Sequence, residues 1–175
     1  MKVRQHLVSA RLGYTFSGGW YVAGALGATL VGTLEGGGRR LDFLPGLVAT
    51  LQGGVVVLEA AGPRPFVELA LNLSVSHLGL QEEGHAPESW TAFDARLGVT
   101  VGWRVASLWL PYTAFRAFGG PALWSDGGVT RSGSDSHHVQ VALGSTFVFS
   151  GVHLFVEWAL PIGESGLSAG LGYSF

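Results

Sequence analysis

The sequence predicts an all-β protein, a closed antiparallel up-and-down transmembrane β-barrel formed as one domain over residues 1–175. Three observations carry this. Apolar residues alternate with small or polar ones along most of the chain, the period of a strand with two unlike faces. Mean hydropathy is +0.36, yet no apolar run approaches the roughly 20 residues that a membrane helix needs. Glycine supplies 28 of the 175 residues, roughly double ordinary usage, a load that would weaken helices.

Composition narrows the class further. Charged residues are 13% of the chain, about half the usual share. There is no cysteine, so neither disulfides nor thiol chemistry enter. A net charge of −2 gives no electrostatic footprint for nucleic acid. The opening MKVRQHLVSARLG is basic but lacks the apolar core and small-residue cleavage site of a signal peptide. The expectation is a mature or trimmed chain with an added Met1.

Taken in order, residues 5–16, 20–34 and 41–60 read as strand-like pieces, with the paired glycines of QGG at 52–54 able to split the last into a hairpin. In PFVELALNLSVSH, residues Val67, Leu69, Leu71, Leu73 and Val75 share one face, opposite Glu68, Ala70, Asn72, Ser74 and Ser76. In FDARLGVTVGWRV, residues Ala95 to Val105 alternate in the same way against Asp94, Arg96, Gly98, Thr100, Gly102 and Arg104. HVQVALGSTFVF and the closing GLSAGLGYSF repeat the theme. These segments match the roughly 9–11 residues of a tilted strand that crosses a bilayer.

The faces differ in kind. One is apolar and often aromatic, and the other is small or polar with rare charges. Soluble surfaces are rich in Lys and Glu rather than Gly, Ala and Ser, so the small face is assigned to a crowded lumen and the apolar face to lipid. Tyr14, Phe16, Trp20, Tyr21, Trp103, Trp109, Phe147, Phe149, Trp158 and Tyr173 fall near segment ends, where aromatic girdles sit. Long polar links at 81–90 and 120–137, and a shorter one at 161–166, alternate with tight links near 61–65, 106–108 and 150–152. Six strands follow Pro65. An even total gives eight strands, with one N-terminal piece left outside the main crossing; ten is the alternative.

Ser168-x-Gly170-x-x-Tyr173-x-Phe175 resembles the C-terminal assembly signal of outer-membrane β-barrel proteins: polar, x, Gly, x, x, aromatic, x, aromatic. With the alternation, the chain is similar to the small OmpA/OmpX-like barrels of Gram-negative bacteria. The resemblance implies residence in the bacterial outer membrane. Its implied partners are outer-membrane lipid and lipopolysaccharide, and the barrel-assembly machinery that reads the last strand.

The inward face is expected to carry Arg11, Glu68, Asn72, Asp94, Arg96, Arg104, Arg116 and Glu157, with Glu68 and Arg104 as one pair. Such charges either form a gate or selectivity ring or neutralise one another, because an unpaired buried charge is costly. His6, His77, His85, His137, His138 and His153 match no metal-ligand spacing, and neither a metal nor a cofactor is expected. Ser136, His137 and Glu157 have the residue types of a lipid-modifying site, but type alone does not fix a triad. The expected work is non-enzymatic: envelope structure, or interaction with an envelope protein through 81–90 and 120–137. A narrow pore and a lipid-modifying enzyme are the alternatives.

Overall fold

A computed structural model describes residues 2–36, 39–81, 88–106, 108–126, 128–134, 137–161 and 166–174. These form one antiparallel sheet of twelve strands, with no helix among the described residues. The strands are β1 (Lys2–Thr15), β2 (Trp20–Gly36), β3 (Arg39–Phe43), β4 (Gly46–Leu58), β5 (Phe66–Gln81) and β6 (Glu88–Gly102). They continue as β7 (Trp109–Gly119), β8 (Pro121–Asp126), β9 (Val129–Ser134), β10 (Val139–Phe149), β11 (Val152–Pro161) and β12 (Gly166–Tyr173).

Several strands are pieces of one rung. β2 pairs with β4 along Trp20–Thr29 and with β3 along Gly32–Gly36, and β5 pairs with both, a closed circuit of four strands. The break falls at Leu44–Pro45, where proline has no N–H for the ladder; the Leu44 N–H still donates to the Gly79 carbonyl at 2.9 Å. β7 and β8 both pair with β6, interrupted at Gly120, whose backbone lies against Phe93 too closely to admit a Cβ. β9 pairs with β8 and β10 with β7. With β3/β4, β7/β8 and β9/β10 each sharing a position, the twelve strands occupy nine ladder positions from β1 to β12.

This differs from the expected eight strands. All three N-terminal pieces join the ladder, so none is a tail. Gln52–Gly54 lie inside β4, paired to Tyr21–Ala23 and Ala70–Asn72, and make no hairpin. Within 120–137, expected as a loop, Pro121–Asp126 and Val129–Ser134 form β8 and β9, which pair through six residues each and extend the sheet beyond β6, while 127, 135 and 136 lie outside the described residues. Of 81–90, Gln81 ends β5 and Glu88 opens β6, while 82–87 lie outside the described residues.

The tight connection at 150–151 arises locally. Ser150 and Gly151 have φ of +48° and +84°, the left-handed pair that a two-residue primed turn requires. Near this end of the sheet stand exposed Tyr14, Phe16, Trp20, Trp103, Trp109 and Phe149.

Shelter alternates along the central strands in the inverse of a soluble sheet. In β5, Leu69, Leu71, Leu73 and Val75 are exposed, whereas Glu68, Ala70, Asn72, Ser74 and Ser76 are half-buried. In β6, Phe93, Ala95, Leu97 and Val99 are exposed and Asp94, Arg96, Gly98 and Thr100 are sheltered. No second layer covers the apolar face among the described residues. Among the described residues, a conventional hydrophobic cluster of buried side chains lies where β3, β5, β6 and β8 meet: Phe43, Leu78 and Leu80 are buried there with Leu41, Trp90 and Trp124 packed around them.

Candidate functional site: a charged interior cavity

The sheet curls around a cavity of about 1770 Å³, lined by residues of every ladder position from β1 to β12. Arg11, Glu68, Asn72, Asp94, Arg96, Arg104, Arg116 and Glu157 all contribute to its wall. The cavity reaches from Gly19, Glu59 and Arg104 at the short-turn end to Trp90, Trp124 and Ser134 at the other.

Arg116 and Glu157 pair across its wall. Arg116 stands on β7 and Glu157 on β11, with β10 between them. Arg116 Nη1 and Nη2 donate to Glu157 Oε1 and Oε2, each at 2.6 Å. This two-pronged geometry is the strong form of a guanidinium–carboxylate pair. Tyr112 adds a hydroxyl donation to Glu157 Oε2 at 3.1 Å, and Arg116 Nη1 also reaches Gln140 Oε1 at 3.4 Å.

A related arrangement stands on β2, β4 and β5. Tyr21 donates its hydroxyl to Glu68 Oε1 at 2.6 Å, and Gln52 Nε2 donates to the Tyr21 oxygen at 2.8 Å. Both tyrosines span a glycine. Tyr21 is directly opposite Gly54, and Tyr112 is directly opposite Gly144. A Cβ on Gly54 would lie 2.6 Å from the Tyr21 ring, and one on Gly144 would collide with the Tyr112 ring. Phe66 over Gly102 and Phe155 over Gly170 repeat the pairing. A ring laid on a glycine of the next strand covers backbone that lacks a side chain and pins the register.

Glu68 and Arg104 do not pair. The β5–β6 register puts Thr100 opposite Glu68, while Arg104 lies beyond the end of β6 and is exposed. Arg96 lies 3.4 Å from Asp94 on its own strand and stacks on Phe118, its guanidinium carbon 5.3 Å from the ring centroid. Its Nε is sheltered without a hydrogen-bond partner. The sequence places Tyr21 among the girdle aromatics, Gln140 on the polar face of its strand and Gln52 in a candidate hairpin turn, and gives Tyr112 no role. The signal was present: Tyr21 shares its face with Ala23, Ala25, Gly27 and Thr29, and Tyr112 shares its face with Ala114 and Arg116.

Of the terminal signal, Ser168 stands opposite Glu157 on β11, its hydroxyl 3.4 Å from that residue's carbonyl. Gly170 is the residue beneath Phe155, and Tyr173 ends β12 exposed. Phe175, Ser136 and His85 lie outside the described residues. Glu157, the carboxylate of the lipid-modifying alternative, is engaged by Arg116 and Tyr112. Among the described residues, no group of three or more His, Asp or Glu side chains is arranged to hold a metal. No family model, curated protein or solved structure matches the chain.

Proposed function

We propose that the chain is an integral β-barrel protein of a bacterial outer membrane whose interior is braced by charge pairs. The observation that carries this reading is the inverted shelter of β5 and β6. Leu69, Leu71, Leu73 and Leu97 face outward, while Glu68, Asn72 and Arg96 face the cavity. In water such a surface would be an aggregation hazard; in lipid it is the favourable arrangement. The girdle of exposed aromatics near the short turns fits a membrane–water interface.

The work assigned to it is envelope structure, or interaction with an envelope protein. The β8–β9 hairpin is the natural contact surface, an extension of the sheet anchored by the stacked rings of Trp90 and Trp124. Membrane lipid, lipopolysaccharide and the assembly machinery that reads a terminal strand are the partners of such a barrel. A second reading, a narrow passage for small polar solutes, is favoured by the cavity's reach from Arg104 to Trp124.

The test is refolding from denaturant into lipid vesicles, read by an unboiled gel shift and protease protection. Integration of an all-β chain into the vesicles is expected; a lipid-independent soluble fold would overturn the proposal. Planar-bilayer conductance of the integrated protein then separates the two readings. Silence leaves the braced interior as structure, and steady salt-dependent current makes it a pore.

A further inference from the structure

The path of pairings has two ends. β1 pairs only with β2, and β12 only with β11. Among the described residues no ladder joins β1 to β12. Nine antiparallel positions make this seam unusual, because an odd number sets the first and last strands running in the same direction. Direct closure would need a parallel pair, the less stable kind. One strand inserted between them would instead be antiparallel to both.

The side chains carry the same mark. The alternation of shelter in β5 and β6 vanishes at the seam. Every residue from Gln5 to Thr15 on β1 is exposed, on both faces. On β12 only Gly170, beneath Phe155, is sheltered. Arg11 lines the cavity beside this seam; it is exposed, its charge acts on the Tyr21 hydroxyl of β2, and no carboxylate within salt-bridge distance of it is seen among the described residues. Unpaired backbone cannot persist in hydrocarbon, and an open strand edge is a ready template for another chain.

We propose that the seam between β1 and β12 receives one extended strand of a second polypeptide. That strand runs antiparallel to both edges, carries apolar side chains outward, and sets a carboxylate beside Arg11. The occupant's chemistry follows from its neighbours: the outward residues Val8, Leu12, Leu167 and Leu171 continue an apolar band, and Arg11 is the charge to be met. The inference rests on the barrel reading for its lipid-facing band, and its test is run in detergent micelles, so that it fails separately.

The probe is a fluorescent synthetic peptide of sequence FVELALNLSVS, which has the required alternation with one inward Glu. Binding is followed by anisotropy on protein whose fold is verified by circular dichroism. Saturable one-to-one binding is expected, weakened at least tenfold by Arg11→Glu and recovered on that variant by a peptide with Lys in place of Glu. A scrambled peptide should not bind.

The chain has no cysteine, so Leu12→Cys with Leu171→Cys gives a clean ruler. Two strand spacings separate edges that flank an inserted strand, about 10 Å, too far for a disulfide. A bismaleimide of that length should join the pair once peptide is bound. Absence of saturable binding, binding indifferent to Arg11→Glu, or a ready intramolecular disulfide would each overturn the proposal. A disulfide-linked species of twice the mass would assign the seam to a second copy instead.

Discussion

The Tyr112 ring lies over Gly144, and its hydroxyl passes beyond to Glu157 on the strand after, 3.1 Å away. Three strands are thereby tied by one side chain, and Tyr21 does the same over Gly54 toward Glu68. The glycines are thus part of the ring contacts rather than slack in the sheet. Gly144→Val is expected to push the ring off its seat and break its bond to Glu157, lowering stability by about 1–3 kcal/mol, the usual penalty of overpacking. Tyr112→Phe keeps the ring and loses only the hydroxyl, about 1 kcal/mol. Urea unfolding of both variants in micelles checks the ordering. A Gly144→Val protein as stable as the parent would mean that the ring contact does not hold the register.

Arg116 and Glu157 are largely sheltered, with side-chain exposures of 21% and 12%. Removing one partner strands the other's charge inside the cavity. Arg116→Met and Glu157→Gln should each cost about 2–3 kcal/mol. The double variant should cost less than their sum, because nothing is left unpaired in it. A double-mutant cycle measures this directly, and strictly additive losses would show that the two charges do not stabilise each other.

Much of this arrangement was legible from alternation alone. A strict period of two assigned Glu68, Asp94, Arg96, Arg116 and Glu157 to one face, and the curled sheet gathers them around one cavity. The partners were not legible, because they depend on register between distant strands. Glu68 faces Tyr21, 47 residues away, rather than Arg104, and only the β2–β4–β5 pairing reveals that. The strand count failed for a different reason. Pro45 and Gly120 interrupt rungs without ending them, and 120–137 reads as a polar loop although β8 and β9 within it form a hairpin anchored by Trp124. Turn-forming composition marks a weak point in a ladder, and tertiary pairing decides whether the chain turns there.

Trp124 makes that anchor testable. It stacks on Trp90 with centroids 5.6 Å apart, above the buried Phe43, Leu78 and Leu80. Trp124→Ala should loosen the β8–β9 hairpin and expose it to protease, leaving the rest of the sheet intact. Limited proteolysis of vesicle-inserted protein is the measurement, with new cleavage expected between 120 and 137. Loss of the whole sheet instead would mean that this small core organises more than the extension.

The outward leucines offer the sharpest separation of lipid from water. Leu71 sits mid-strand on β5, flanked by Gly53 on β4 and Leu97 on β6, and is 46% exposed. If that surface met water, Leu71→Arg would be neutral and would improve solubility, since lone surface substitutions change stability by less than about 0.5 kcal/mol. Against hydrocarbon, an arginine near the bilayer midplane costs about 2–4 kcal/mol. Ala70→Arg is the control on the opposite face, where the side chain enters the cavity near Glu68 and Asn72. The expected result is a large loss of folding yield into vesicles for Leu71→Arg and a smaller one for Ala70→Arg. The reverse order would turn the sheet inside out, placing the charged face outward and the leucines within.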